Sequence, residues 1–110
     1  KEKWPDIKII AIEPAESPVM SGGEPGLHGI QGIGDGSKFL VDLNFVDEVH
    51  TIKTSTSESA SKHLAKKYGL FVGVSAGANL YSSFDWLRKN NCENAITIIC
   101  DRGERYFSCL

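Results

Sequence analysis

Short apolar runs are spaced along the chain at intervals typical of a buried sheet. Residues 7–12 (Ile-Lys-Ile-Ile-Ala-Ile) and 95–100 (Ala-Ile-Thr-Ile-Ile-Cys) are almost entirely apolar. This pattern predicts strands that are buried on both faces, as in a parallel sheet. Two shorter runs, at Glu48–Ile52 and 71–74, predict two further strands.

The segments between these runs have helical signatures. Ser55 and Glu58, three residues apart, form a capping-box pattern that predicts a helix ending at Gly69. A second helix is predicted to begin near Ser75 and to end near residues 90–91. Because strands alternate with helices, the pattern predicts an α/β fold with a mainly parallel sheet and flanking helices.

A glycine-rich stretch separates the first predicted strand from the second. Residues 14–36 contain seven glycines and three prolines, which excludes a regular element. The stretch is therefore predicted to be a long ordered loop. Loops of this length inside a compact domain are usually functional.

Composition narrows the class of protein. The chain has 110 residues, 41% of them hydrophobic, and a formal net charge of −2. These values predict a globular domain with no basic surface for nucleic acid, and the apolar runs are too short to span a membrane. Three cysteines without metal-ligand spacing predict a reducing, cytoplasmic setting.

The predicted sheet also indicates where ligands would bind. In parallel sheets ligands bind beyond the carboxyl ends of the strands, which here leads to Glu13, Ser75 and Asp101. Ser75 has two interpretations. It is either the N-cap of the second helix or a hydroxyl that contacts a ligand, with Gly77 and Ala78 allowing a flat ring to approach the backbone.

The segment Gly32-Ile33-Gly34 lies in the glycine-rich loop and superficially resembles a phosphate cradle. It matches neither the P-loop nor the dinucleotide-binding pattern, because the following residues and the spacing are wrong. It is either a flexible turn or a loop packed against a ligand, and we favour the second. Four apolar side chains would anchor such a loop: Ile30, Ile33, Phe39 and Leu40.

The remaining polar residues give weaker signals. Residues 102–106 (Arg-Gly-Glu-Arg-Tyr) have the composition of a solvated turn with a local ion pair. His28, His50 and His63 are not at ligand spacing, so no metal site is predicted. No catalytic nucleophile can be assigned from spacing.

Six short blocks follow one another along the chain: Glu13-Pro14-x-x-Ser17, Ser21-Gly22-Gly23, His28-x-Ile30-Gln31-Gly32-Ile33-Gly34, Val46-Asp47-Glu48-Val49, Gly73-Val74-Ser75-Ala76-Gly77-Ala78 and Gly103-Glu104-Arg105-Tyr106. In their order and spacing these blocks resemble the cysteine synthases (O-acetylserine sulfhydrylases), of the fold type II pyridoxal-phosphate enzymes. The resemblance extends over almost the whole chain.

The resemblance implies a function and a set of site residues. The family makes L-cysteine from O-acetylserine, or O-phosphoserine, and sulfide by replacing a group at Cβ with the help of pyridoxal phosphate. Ser75 matches the serine that hydrogen-bonds the pyridine nitrogen. Gly32, Ile33 and Gly34 match the loop that lines the cofactor cleft, and Asp101 is assigned to the same site. The implied partners are an amino-acid substrate, sulfide, a second subunit and the C-terminal tail of serine acetyltransferase.

The resemblance also implies which parts of the family's enzyme these residues do not include. Residues 1–110 match only the C-terminal portion of the family's large, cofactor-binding domain. The family's Schiff-base lysine and phosphate loop would lie upstream, so no catalytic residue is assigned and these residues alone are expected to be inactive. The alternatives left open are an enzyme like cystathionine β-synthase or the serine/threonine dehydratases, and a non-catalytic binding module.

Overall fold

The computed structural model of the chain describes residues 1–34 and 41–104. The fold is α/β, as predicted, but both described strands precede both helices, so the predicted alternation of strands with helices does not form in the described part of the chain. The elements, in chain order, are strand β1 (Ile10–Pro14), a short 3-10 helix (Leu43–Phe45), strand β2 (Glu48–Ile52), helix α1 (Thr54–Tyr68) and helix α2 (Val74–Asn90).

The two strands pair in parallel, which confirms the predicted strand direction. Ile10 lies opposite Glu48, and the register continues to Pro14 opposite Ile52. Strand β2 has the predicted bounds, whereas β1 begins three residues later than the predicted 7–12. A parallel pair needs a crossover between its strands. Here the long glycine-rich loop is part of that crossover.

Two predicted strands do not form within the described residues. Val72, in the predicted strand 71–74, makes only an isolated antiparallel bridge with Arg102. Residues 95–100 are not a strand and are largely exposed, Ile96 by 96% and Ile98 by 70%. The prediction of a buried strand there was wrong, because an apolar run is buried as a strand only where a neighbouring strand pairs with it.

Both helices form where the sequence predicts them, with a different start for α1. The N-cap of α1 is Lys53, which makes no side-chain capping bond, so the predicted capping box at Ser55 was wrong. The C-terminus is as predicted, because Gly69 adopts a left-handed conformation with φ of 67°. Asn91 ends α2 in the same way. Neither helix is long and apolar enough to cross a membrane.

Two small apolar clusters hold the elements together. One joins the glycine-rich loop, β2 and α2 through Ile30, Ile52, Val74 and Ala78. The other lies between α1 and the start of α2, and its buried members are Leu64, Val72 and Ala76. The first cluster places the loop against the N-terminal turn of α2, which is where the candidate site lies.

Candidate functional site

The three predicted site segments meet at the N-terminus of α2. Ser75 lies in the first turn of the helix. Ile33 packs against the apolar cluster that contains Val74. The carbonyl of Asp101 accepts a hydrogen bond of 3.2 Å from the backbone of Gly73, the N-cap residue. Segments that are far apart in the sequence are therefore neighbours in the structure.

Ser75 is not the N-cap of its helix. Gly73 occupies that position, in an extended conformation, and no side-chain hydrogen bond caps α2. The interpretation of Ser75 as a cap was therefore wrong. Ser75 is the second helical residue and only 3% exposed. Its hydroxyl lies in a buried position beside the partial positive charge of the helix terminus.

Gly77 and Ala78 serve helix packing, contrary to the prediction that they give a flat ring access to the backbone. A Cβ atom on Gly77 would lie 2.5 Å from the carbonyl oxygen of Ser57 and 2.9 Å from the backbone nitrogen of Ser61. Both atoms belong to α1, so the glycine allows the two helices to approach closely. Ala78 is fully buried in the cluster with Ile52.

The glycine loop is an ordered turn with one tight side and one open side. Gly34 has φ of 64°, and a Cβ atom there would lie 2.7 Å from the Pro14 ring. Gly32 has φ of 92°, and no atom among the described residues lies within 4 Å of where its Cβ would be. Both conformations favour glycine. Ile30 and Ile33 anchor the loop as predicted, whereas Phe39 and Leu40 lie outside the described residues.

His28 holds this turn in shape. Its Nδ1 accepts a hydrogen bond of 3.1 Å from the backbone of Ile30, and its Nε2 lies 2.6 Å from the carbonyl oxygen of Gly34. Because Nδ1 accepts, the contact with the carbonyl requires the proton on Nε2. The ring therefore closes the loop from residue 28 to residue 34.

A buried carboxylate orders the segment that follows β1. Glu13 is 2% exposed and accepts hydrogen bonds from the backbone of Met20 and from the backbone and hydroxyl of Ser21. A buried carboxylate is tolerated when it is paired in this way. Sequence analysis placed Glu13 at the strand end but missed this role, since the partners lie seven and eight residues away with no local motif.

A second carboxylate joins the loop to α1. The Glu16 side chain accepts hydrogen bonds of 3.0 Å from the backbone of Thr54 and 2.8 Å from its hydroxyl. The same hydroxyl accepts a bond from the backbone of Gly29. Desolvation raises the pKa of Glu16, but the bonds from Thr54 outweigh it and the pKa lies below the usual range. The sequence gives no sign of this contact, which spans 38 residues.

The turn after Asp101 is largely solvated. Arg102 and Glu104 form an ion pair of 3.0 Å between exposed side chains, which contributes little to stability. The Gly103 backbone donates to the carbonyl of Phe71, and a Cβ on Gly103 would lie 2.6 Å from the Phe71 ring. Close packing thus requires this glycine. Arg105 and Tyr106, from the predicted cluster, lie outside the described residues.

The other histidines are separate from this region. His50 lies 3.3 Å from Glu48, and the ring of His63 packs edge-on against Tyr68. Over residues 1–34 and 41–104, no three histidine, cysteine or carboxylate side chains are grouped in a way that would bind a metal ion.

Comparison with known proteins finds similarity to cysteine synthases. The chain is 36% identical over 112 aligned residues to the cysteine synthase of Staphylococcus aureus strain N315, covering 98% of this chain and 36% of that protein. The solved structure of the Entamoeba histolytica cysteine synthase matches with a TM-score of 0.93 and 39% identity, over 98% of this chain and 33% of the other. The chain thus spans about a third of the length of the relatives it matches.

A related activity is also represented among the similar structures. The O-acetylserine-dependent cystathionine β-synthase of Helicobacter pylori matches with a TM-score of 0.80 and 34% identity, over 98% of this chain and 36% of that one. No family model matches the chain.

The sequence blocks and the backbone structure therefore both indicate similarity to cysteine synthases. The match to the Entamoeba enzyme extends through β1, the glycine loop, both helices and the turn at Asp101, because it covers nearly all of the chain. Over almost its whole length, the chain is a cysteine-synthase-like segment of α/β fold.

Proposed function

We propose that these residues form the C-terminal portion of the cofactor-binding domain of a pyridoxal-phosphate-dependent cysteine synthase. In this proposal the whole enzyme makes L-cysteine from O-acetylserine or O-phosphoserine and sulfide. The observation that carries the proposal is the meeting of Ser75, the glycine loop and Asp101 at the N-terminus of α2. The similarity to cysteine synthases over 98% of the chain supports it.

The residues at this terminus fit the cofactor. Ser75 offers a buried hydroxyl that is not used as a helix cap. Among the described residues Gly32 borders open space, where a bound group would meet its backbone and no side chain. When bound, pyridoxal phosphate supplies an electron sink for exchange of a substituent at Cβ. Ser75, Gly32, Ile33, Gly34 and Asp101 are the residues that we assign to holding it.

Ser75 would set the charge of the pyridine nitrogen. A hydroxyl can donate a hydrogen bond to that nitrogen without adding negative charge, so the nitrogen stays unprotonated. The partial positive charge of the α2 N-terminus acts in the same direction, because it opposes a further positive charge. A neutral ring is a weaker electron sink, which suits replacement at Cβ.

The glycine loop and Asp101 would position the ring. His28 fixes the turn through Ile30 and Gly34, so its backbone is held in place before a ligand arrives. Asp101 is tied by its carbonyl to Gly73 at the start of α2. Pre-organised groups of this kind lose little conformational freedom on binding.

The Schiff-base lysine is proposed to lie outside these residues. None of the nine lysines of the chain lies in a block that resembles the segment of the family's Schiff-base lysine. The 110 residues alone are therefore expected to show no cysteine synthesis. For the whole enzyme we propose a homodimer, a cytoplasmic location and docking of a serine acetyltransferase C-terminal tail, on the strength of the resemblance. The exposed free thiols of Cys92 and Cys100 fit a reducing compartment.

One alternative activity has a specific observation in its favour. The similarity to the Helicobacter pylori O-acetylserine-dependent cystathionine β-synthase favours a β-replacement with a larger thiol as the nucleophile. Comparing sulfide with homocysteine as the nucleophile in the whole enzyme decides between the two. In the described part of the chain, no observation specifically favours a dehydratase-like enzyme or a non-catalytic binding module.

The decisive test is a pair of substitutions at Ser75 in the whole enzyme. We expect Ser75→Asp to place a carboxylate against the pyridine nitrogen, favour its protonation, shift the visible absorption of the cofactor and slow cysteine formation. Ser75→Asn introduces a side chain of nearly the same size as aspartate but without its charge, and it is therefore the matched control. Ser75→Ala removes one hydrogen bond, with an expected loss of about 1 kcal/mol, or roughly five-fold, in cofactor binding. Identical spectra for Ser75→Asp, Ser75→Asn and the parent enzyme would refute the assignment.

A further inference from the structure

A chain of hydrogen bonds connects the start of α1 to the glycine loop. The Thr54 hydroxyl accepts a bond of 3.0 Å from the backbone N–H of Gly29 and donates one of 2.8 Å to the Glu16 carboxylate. Thr54 is the first residue of α1 and lies 25 residues from Gly29 along the chain. A single hydroxyl thus acts as donor and acceptor at once and fixes the loop to the helix.

The residues around Gly29 extend this connection to the open side of the loop. His28, the preceding residue, accepts a bond from the Ile30 backbone at Nδ1 and contacts the Gly34 carbonyl through Nε2. Ile30 is itself fully buried in the apolar cluster. Gly32, which lies between these anchored positions, borders open space among the described residues. The exposed part of the loop is therefore held from both ends.

The Thr54 side chain faces Gly29 with two chemically different groups. Its hydroxyl forms the hydrogen bond. Its methyl group packs closely, because a Cβ atom on Gly29 would lie 2.7 Å from Cγ2 of Thr54. Since the hydroxyl and the methyl group can be removed separately by substitution, their contributions to the loop can be measured separately.

From these contacts we infer that Thr54 is a positioning residue of the cofactor site, because its hydroxyl holds the loop that presents the Gly32 backbone to the cofactor. It acts on the loop through Gly29 and His28. A loop that is ordered in advance loses little conformational freedom on binding, so loss of the hydroxyl should weaken binding. The inference rests on the proposed function, which assigns Gly32 to the cofactor.

Hydrogen exchange in the 110-residue chain tests the first step without any cofactor. Thr54→Val keeps the shape of the side chain but removes the hydroxyl, whereas Thr54→Ser keeps the hydroxyl and removes the methyl group. We expect Thr54→Val to raise the exchange rates of the Gly29 and Ile30 amides by about five-fold, which corresponds to one hydrogen bond. Thr54→Ser should exchange like the parent chain. The Gly69 amide, which bonds to Ala65 at the other end of α1, should be unchanged in both variants and shows that the helix stays folded.

Cofactor binding in the whole enzyme tests the second step. The visible absorption of pyridoxal phosphate, titrated into the apoenzyme, gives its dissociation constant. We expect this constant to rise by about five-fold in Thr54→Val and to keep the parent value in Thr54→Ser, with kcat at saturating cofactor unchanged in both. A residue needed only for folding would instead lower the yield of folded enzyme and leave its affinity for the cofactor unchanged.

A double variant tests whether the effect passes through His28. His28→Ala removes the contacts with Ile30 and Gly34, so it should also weaken cofactor binding. Because Thr54 and His28 hold the same segment, the loss in the double variant should be smaller than the product of the two single losses. Independent losses would mean that Thr54 does not act through this loop.

Three further results would overturn the inference. The first is unchanged exchange of the Gly29 and Ile30 amides in Thr54→Val. The second is faster exchange with a parent-like affinity for pyridoxal phosphate, since the contact would then only stabilise the loop. The third is an equal loss in Thr54→Val and Thr54→Ser, which would assign the effect to the methyl group. All three leave the proposed function standing, whereas a parent enzyme without a visible cofactor band would refute that function and this inference with it.

Discussion

Two regions of the described chain, strand β1 and residues 91–100, differ in what they pack against. Strand β1 pairs with β2, and Ile12 packs against the cluster that contains Ile52 and Val74. Residues 91–100 are almost all exposed, and the Asn79 side chain donates a hydrogen bond of 2.9 Å to the carbonyl of Ile98. One region is held on several sides, and the other is largely exposed.

The contrast shows that an apolar run does not determine its own burial. Hydrophobic stabilisation scales with the apolar area removed from water, and that area depends on a neighbour. Strand β1 has such a neighbour in β2. Residues 95–100 are equally apolar in composition but pair with no strand in the described part of the chain.

The most direct test of this contrast compares two isoleucines. Ile52 is 5% exposed and lies in the core cluster, whereas Ile98 is 70% exposed. We expect Ile52→Ala to lower the free energy of unfolding of the chain by about 2–5 kcal/mol. Ile98→Ala should change it by less than about 0.5 kcal/mol, since the side chain is exposed and the hydrogen bonds that Ile98 accepts from Asn79 and Cys100 use its backbone carbonyl. Urea unfolding followed by circular dichroism measures both. Equal losses would mean that residues 95–100 are buried in solution.

Much of the fold could be predicted because its signals are local. The left-handed Gly69 that ends α1, and the alternation of short apolar runs with helices, depend on neighbouring residues alone. The capping box at Ser55 was predicted wrongly, because a distant carboxylate, Glu16, takes the place of a local cap. The strand 95–100 was predicted wrongly for a similar reason, since strand formation depends on a partner that the local sequence does not specify.

The candidate site could be predicted in position but not in detail. The rule that ligands bind beyond strand ends led to Ser75 and Asp101, which lie around one helix terminus although neither of the predicted strands before them forms. The role of Gly77 was misread, because a glycine that allows a ring to approach and one that allows a helix to approach have the same sequence signature. The carboxylates of Glu13 and Glu16, which hold the loops, have no local motif.

A second test concerns the tight side of the glycine loop and has a smaller expected effect. Gly34 and Gly69 have nearly the same backbone conformation, with φ of 64° and 67°. A Cβ atom at Gly34 would lie 2.7 Å from the Pro14 ring, whereas no atom in the described part of the chain lies within 4 Å of that position at Gly69. Gly69→Ala should therefore cost only backbone strain, about 1–2 kcal/mol. Gly34→Ala should cost that strain plus an overpacking penalty of roughly 1–3 kcal/mol.

Thermal unfolding of the two alanine variants measures this difference. The excess cost of Gly34→Ala reports how firmly the loop is packed against the strand end. Equal costs at the two positions would show that the loop moves away from Pro14 without penalty, and that it is not held in place before a ligand arrives.

The smallest expected effect is at Glu16, which joins the loop to α1. Its carboxylate accepts bonds from Thr54 at the N-terminus of the helix, so Glu16→Gln should lower stability by about 1 kcal/mol at neutral pH.

The effect of Glu16 on stability should also depend on pH. Although desolvation raises the pKa of Glu16, the bonds from Thr54 hold it below the ordinary value of 4.5. A lowered pKa in the folded state means that the contribution is complete above the ordinary pKa and disappears as the pH falls through the folded pKa. The difference between the parent chain and Glu16→Gln should therefore be constant near neutral pH and shrink in acid. Glu24→Gln removes the same charge from an exposed position and serves as the control. A difference for Glu16→Gln that persists unchanged into acid would mean that the side chain acts by packing and that its charge does not cap the helix.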